Sequence, residues 1–135
     1  MLSGGPISWK SKKQVLTTTS TMMAEYVFVY NATCHAMLLR NLITGLKIVN
    51  SILRPLKIYC DNSAAVSFSN SNSSTGAGLY LDTKYLFVRE RVEEQRICIE
   101  HIRTHEMLAY PLTKGLPPKV FQDHVARMGL RQDLI

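Results

Sequence analysis

Leu56-Lys57-Ile58-Tyr59-Cys60-Asp61-Asn62-Ser63 is a short apolar run that stops on an acid and is followed at once by two side chains able to cap a helix. Pro55 opens the run, and Leu56 to Cys60 has the pattern of a buried strand. Asn62 and Ser63 can each accept from an unpaired first-turn amide, which predicts a helix over Ala64 to Phe68. Strand followed by helix is the unit of a layered α/β fold. Ligands of such folds collect at the carboxyl ends of strands, and Asp61 stands at one.

Upstream, Ile7 to Thr19 is rich in β-branched residues, partly alternates and reads as a strand. Ser20 or Thr21 can cap a helix that begins near Met22. Met23, Val27, Tyr30, Cys34, Leu38 and Leu42 then recur at helical steps as an amphipathic stripe. Gly45 offers an end, although the apolar pattern runs on to Leu46. Downstream, Asn70 to Gly78 is a polar loop, and Leu81 to Arg91 is a helix with Leu81, Tyr85 and Val88 on one face. Ile97 to Ile102 reads as another strand, and Pro111 interrupts a helix over Glu106 to Lys114. Val120 to Met128 closes the chain as a short helix. Without an internal repeat or a dividing linker, residues 1–135 read as a single domain.

Hydrophobic residues make up 46% of the 135, enough for a buried core, and no apolar run approaches the ~20 residues that span a bilayer. Met-Leu-Ser-Gly-Gly-Pro lacks the basic and apolar regions of a secretory signal. The expectation is a soluble intracellular chain, cytoplasmic or nuclear, with no membrane partner. Cys34, Cys60 and Cys98 form neither a disulfide framework nor a zinc pattern and read as buried free thiols. The formal charge of +6 favours polyanions, nucleic acid foremost, although a solvated basic surface has the same composition.

Context singles out two acids. Glu25 falls in the first turn of the long helix and Asp61 at the strand tip, where carboxylates can face a hard cation such as magnesium. Equally, Glu25 would complement the positive helix N-terminus and Asp61 would serve as a cap. His35 reads as a partly buried structural residue, and His101 and His105 lack a helical metal-binding partner. Trp9, Tyr26 and Tyr30 read as core rather than a base-stacking platform.

Five blocks stand in a fixed order: Ile7-Ser-Trp-Lys-Ser-Lys-Lys-Gln14, Ala24-Glu25-Tyr26, Ile58-Tyr59-Cys60-Asp61-Asn62, Tyr85-Leu-Phe-Val-Arg-Glu-Arg-Val92 and Leu112-Thr-Lys-Gly-Leu-Pro117. Together, over roughly residues 3–130, they resemble the ribonuclease H domain of Ty1/copia-type long-terminal-repeat retrotransposon Pol polyproteins, plant elements especially. The resemblance implies an RNase H-like α/β fold, a mixed sheet flanked by helices, here lacking the first strand and most of the second. It implies cleavage of RNA in RNA–DNA hybrids during reverse transcription, beside the reverse transcriptase portion of the same polyprotein. It also implies four carboxylates that hold magnesium. Glu25 matches the second of them and Asp61 the third.

The first carboxylate belongs to a block absent from this sequence. The fourth should follow Leu108-Ala109, where Tyr110 stands instead. A neutral phenol cannot bridge magnesium as a carboxylate does. These departures make the expected function that of a catalytically defective relic. It would keep weak magnesium affinity at Glu25 and Asp61 and weak nucleic-acid affinity through Lys10, Lys12, Lys13, Arg89 and Arg91. Two alternatives remain. One is an active magnesium-dependent ribonuclease completed by Glu106 or a partner chain. The other is a non-catalytic protein-interaction module.

Overall fold

A computed structural model describes residues 4–11, 13, 21–47, 54–71 and 79–130, which fall into two compact units. The larger, Thr17–Ile102, contains helix α1 (Thr21–Gly45), strand β1 (Leu56–Cys60), helices α2 (Ser63–Asn70) and α3 (Leu79–Glu93), and strand β2 (Ile97–His101). The strands pair in parallel, Leu56 opposite Ile97 and Cys60 opposite His101. Parallel neighbours need a long crossover, and α2 with α3 supplies it.

One face of this two-stranded sheet carries the core. Leu56, Ile58, Cys60, Ile97 and Ile99 pack with Tyr26, Val29 and Met37 of α1, Ala65 of α2, and Tyr85 and Val88 of α3. The Tyr26 ring meets Phe68 edge-on at 4.9 Å. Its phenol donates to the Lys84 carbonyl oxygen at 3.4 Å. Burial, with a smaller contribution from Tyr85, pushes the Tyr26 phenol far above the usual tyrosine range. On the opposite face Lys57 and Tyr59 are exposed, and Lys57 meets Glu100 at 2.8 Å. The run Leu56–Cys60 is thus not buried on both faces as its sequence pattern suggests: the strand alternates, Lys57 and Tyr59 being exposed.

Helix α1 starts at Thr21, one residue before the expected Met22, and ends at the expected Gly45, but its inward stripe differs from the expected one. Tyr26, Val29, Thr33 and Met37 face the core with Val27, whereas Leu38 and Leu42 are 62% and 55% exposed. Thr33 occupies a buried position at little cost because its hydroxyl donates to the Val29 carbonyl 2.8 Å away, one turn back. Glu25 also lies beyond the first turn, which contains no acid, so it does not complement the N-terminal dipole. Past Gly45, Lys47 takes the left-handed position with φ 52°.

Asn62 caps α2, its side-chain oxygen accepting from the Ala65 amide at 3.0 Å. At the end of α3, Gln95 sits at φ 54°. The Arg96 amide reaches back to the Arg91 carbonyl at 2.9 Å and Gln95 to Val92 at 3.0 Å, the paired bonds of a Schellman stop. Arg40 of α1 donates to the Arg96 carbonyl at 2.8 Å and ties that turn to the long helix.

The smaller unit joins Met1–Leu16 with Arg103–Ile135. Helix α4 (Pro118–Arg127) ends on Gly129, φ 72°, where any Cβ would run into the Gly4 carbonyl. His124 of α4 is buried with its ring centroid 6.1 Å from that of Tyr110. The helix expected over Glu106 to Lys114 is replaced by two single 3-10 turns, Thr104–Glu106 and Tyr110–Leu112. Pro111 lacks an amide and disfavours α geometry in the residue before it, so no continuous helix forms. The described residues of the expected strand Ile7 to Thr19 show no strand at 7–11 or 13. Trp9 is 69% exposed rather than core. The rest of that segment, Lys12 included, and most of the loop Asn70 to Gly78 lie outside the described residues.

Two substitutions probe this account. Gln95→Gly should raise stability by up to about 1 kcal/mol, since glycine carries no steric cost at a left-handed position. Ile97→Ala, at a residue 2% exposed, should lower it by about 2–5 kcal/mol. Urea denaturation followed by circular dichroism measures both.

Candidate functional site

The site is built where β1 ends. Cys60 is the last strand residue, and its carbonyl accepts from the Ile102 amide at 3.0 Å. The chain then turns through Asp61 into Asn62, whose cap on α2 fixes the turn. Glu25 comes from α1, next to Tyr26, which is anchored in the core. Ligand atoms of Glu25, Cys60 and Asp61 all lie within 4.8 Å of one another. The two carboxylates are half-buried and the thiol is buried. The two acids singled out in the sequence, 25 and 61, are therefore brought together.

Cys60 is the member that sequence reasoning passed over. All three cysteines are free, as expected, but only Cys60 is buried, while Cys34 and Cys98 are half-buried. Burial pushes the Cys60 thiol up from its usual value, and the Glu25 and Asp61 carboxylates add to the shift by disfavouring a third negative charge. Adjacency to Asp61 at a strand end is the signal that could have found it.

Magnesium takes oxygen ligands and keeps several waters. Two carboxylate oxygens within this spacing suit one such ion, but the third donor is sulfur, which magnesium does not favour. The complete donor set therefore does not fit magnesium, and only the Glu25–Asp61 pair does.

The remaining candidate residues are not members of this cluster, and several belong to the smaller unit. Tyr110 opens a 3-10 turn in the smaller unit, with the Lys114 ammonium 5.4 Å from its ring centroid. Glu106 closes the preceding turn of that unit and is exposed. Lys10 and Lys13 are exposed. Arg89 is paired with Glu93 at 2.7 Å. Arg91 is paired with Glu94 at 3.1 Å and lies 4.8 Å from the Phe87 ring centroid. These two arginines are engaged within their own helix and turn. His35 is exposed rather than partly buried, and Tyr30 lies half-buried beneath the Lys84 ammonium, 3.9 Å from its centroid. Among the described residues no helix is long and apolar enough to cross a membrane.

No protein-family model matches the chain, and no solved structure matches it. Among known proteins it is 34% identical over 125 residues to the retrovirus-related Pol polyprotein from transposon RE1 of Arabidopsis thaliana. It is 33% identical over 125 residues to that from transposon RE2 of the same plant. Over 120 residues it is 29% identical to the one from transposon TNT 1-94 of Nicotiana tabacum. These similarities take in 93%, 93% and 89% of this chain. The chain spans less than a tenth of the length of each relative. The likeness to plant retrotransposon Pol polyproteins expected from the five ordered blocks is found.

Burial and charge at Cys60 lead to a measurable order of reactivity. At pH 8 the raised thiol holds less thiolate than an ordinary cysteine, and the thiolate is the nucleophile. Iodoacetamide should therefore label Cys34 and Cys98 before Cys60 in the native chain, as peptide mapping by mass spectrometry would reveal. The same shift makes the folded state favour the protonated thiol. Its contribution to stability is present at neutral pH and is lost as pH rises through the raised value.

Proposed function

We propose that this chain is a ribonuclease H-like segment of a retrotransposon Pol polyprotein whose carboxylate site, with Tyr110 in place of an acid, is too depleted for efficient hydrolysis. The observation that carries the reading is the meeting of Glu25 and Asp61 at the carboxyl end of β1. They are the two acids that the resemblance assigns to metal binding, in a chain similar over most of its length to Pol polyproteins.

Of the four carboxylates the resemblance expects, Glu25 and Asp61 stand at the second and third places, and Tyr110 holds the place of the fourth. In such sites bound metal activates the attacking water and stabilises the leaving oxygen. Loss of an outer-shell partner alone costs ~10–100-fold in metal affinity or activity, and a lost ligand costs at least as much. Tyr110, a neutral phenol where a ligand is expected, therefore costs hydrolysis more than that.

What remains is affinity for the nucleic-acid backbone. Lys10 and Lys13 are exposed and offer their charges directly. Phosphates must compete with Glu93 and Glu94 for Arg89 and Arg91, so these contribute less. Binding of this kind is independent of sequence and weakens steeply with salt as counterions are released.

The test is a labelled RNA–DNA hybrid incubated with the purified chain in magnesium and in manganese. We expect no cleavage, and binding that falls with salt and falls further in a Lys10→Ala/Lys13→Ala variant. Metal-dependent cleavage abolished by Glu25→Gln would overturn the defective reading in favour of an active ribonuclease. Binding indifferent to salt would remove the nucleic-acid part.

A further inference from the structure

The Glu25–Cys60–Asp61 cluster contains a donor that magnesium chemistry leaves unused. We propose that these three residues form a site for a thiophilic divalent cation of the zinc class, held in preference to magnesium. Among the described residues it is the one place where three potential metal ligands converge, with all ligand atoms inside 4.8 Å. Cys60 is only 5% exposed, yet its sulfur lies beside both carboxylates. Three protein ligands leave one position of a tetrahedral ion for water or another small ligand.

The frame around the ligands is ordered before any ion arrives. Cys60 is fixed by its pairing in β1 and by the bond from the Ile102 amide to its carbonyl. Asp61 sits in a turn whose next residue, Asn62, caps α2 through its side chain. Glu25 rides on α1, where Tyr26 is fully buried. The ion would gain two oxygens and one sulfur, and the thiol proton would pass to solvent on binding. Thiolate ligands select zinc-class ions, whereas carboxylates alone suit magnesium, so sulfur is the discriminating donor. The inference stands on this geometry and not on any action upon nucleic acid.

The experiment titrates the full chain, kept reduced, with zinc, cobalt(II) and magnesium, each as the ion alone. We expect zinc to bind one per chain and magnesium to fail to displace it. Cobalt should give a sulfur-to-metal charge-transfer band that Cys60→Ser abolishes and that Cys34→Ser and Cys98→Ser leave intact. Glu25→Gln should keep the band and weaken zinc by at least ~10-fold. Because Cys60 is a core residue, Cys60→Ser can fail to fold. Protection of Cys60 from alkylation by zinc in the unaltered chain, together with Glu25→Gln, then decides. A missing band, a band that survives Cys60→Ser, Cys60 alkylating equally fast with and without zinc, or magnesium displacing zinc would each overturn the proposal. A chain that binds the hybrid but not zinc would sink this inference alone. One that binds zinc but not the hybrid would spare it.

Discussion

The larger unit depends on how β1 stops. In the space of three residues the strand gives its last carbonyl to Ile102, turns at Asp61 and hands over to α2 through the Asn62 cap. The first of these fixes the end of the parallel pair, and the last fixes the start of the crossover that makes a parallel pair possible. Cys60 faces the core from one side of this junction while Asp61 leaves it at the edge. One backbone feature therefore sets the register of the sheet, the entry of α2 and the position of two of the three clustered side chains.

Much of this junction was legible in the sequence because each residue speaks locally. An apolar run, an acid and a capping Asn state strand, end and helix start without reference to anything distant. The inward face of α1 was not legible for the opposite reason. The helix carries apolar residues nearly all round, so periodicity offers two stripes, and only the sheet beneath decides between them. Thr33 made the choice harder, being polar yet able to satisfy its hydroxyl within its own helix. Leu38 and Leu42 look like core to any count of hydrophobicity and are mostly exposed.

The candidate site divides in the same way. Glu25 and Asp61 stand out by position, at a helix start and a strand tip, and the structure brings them together. Cys60 escaped notice because a buried cysteine is ordinary; its meaning lies wholly in its neighbours. The basic residues show the reverse error. Arg89 and Arg91 count as positive charge in the sequence, but the helix that carries them and the turn that ends it also place Glu93 and Glu94 within reach. Formal charge is a property of the composition, while available charge is a property of the fold.

The parallel register has a kinetic consequence. Leu56 and Ile97 are about forty residues apart in the chain, so no hydrogen bond of the sheet forms until the crossover loop has closed. Helices α1 and α3 rest on local contacts and can form within microseconds, whereas non-local strand pairing is the slow step of folds like this. Glu25 and Asp61 are separated by a similar length of chain and meet only once α1 has packed against β1. The cluster is thus a late product of folding. Intermediates rich in helix would hold all three side chains and no cluster.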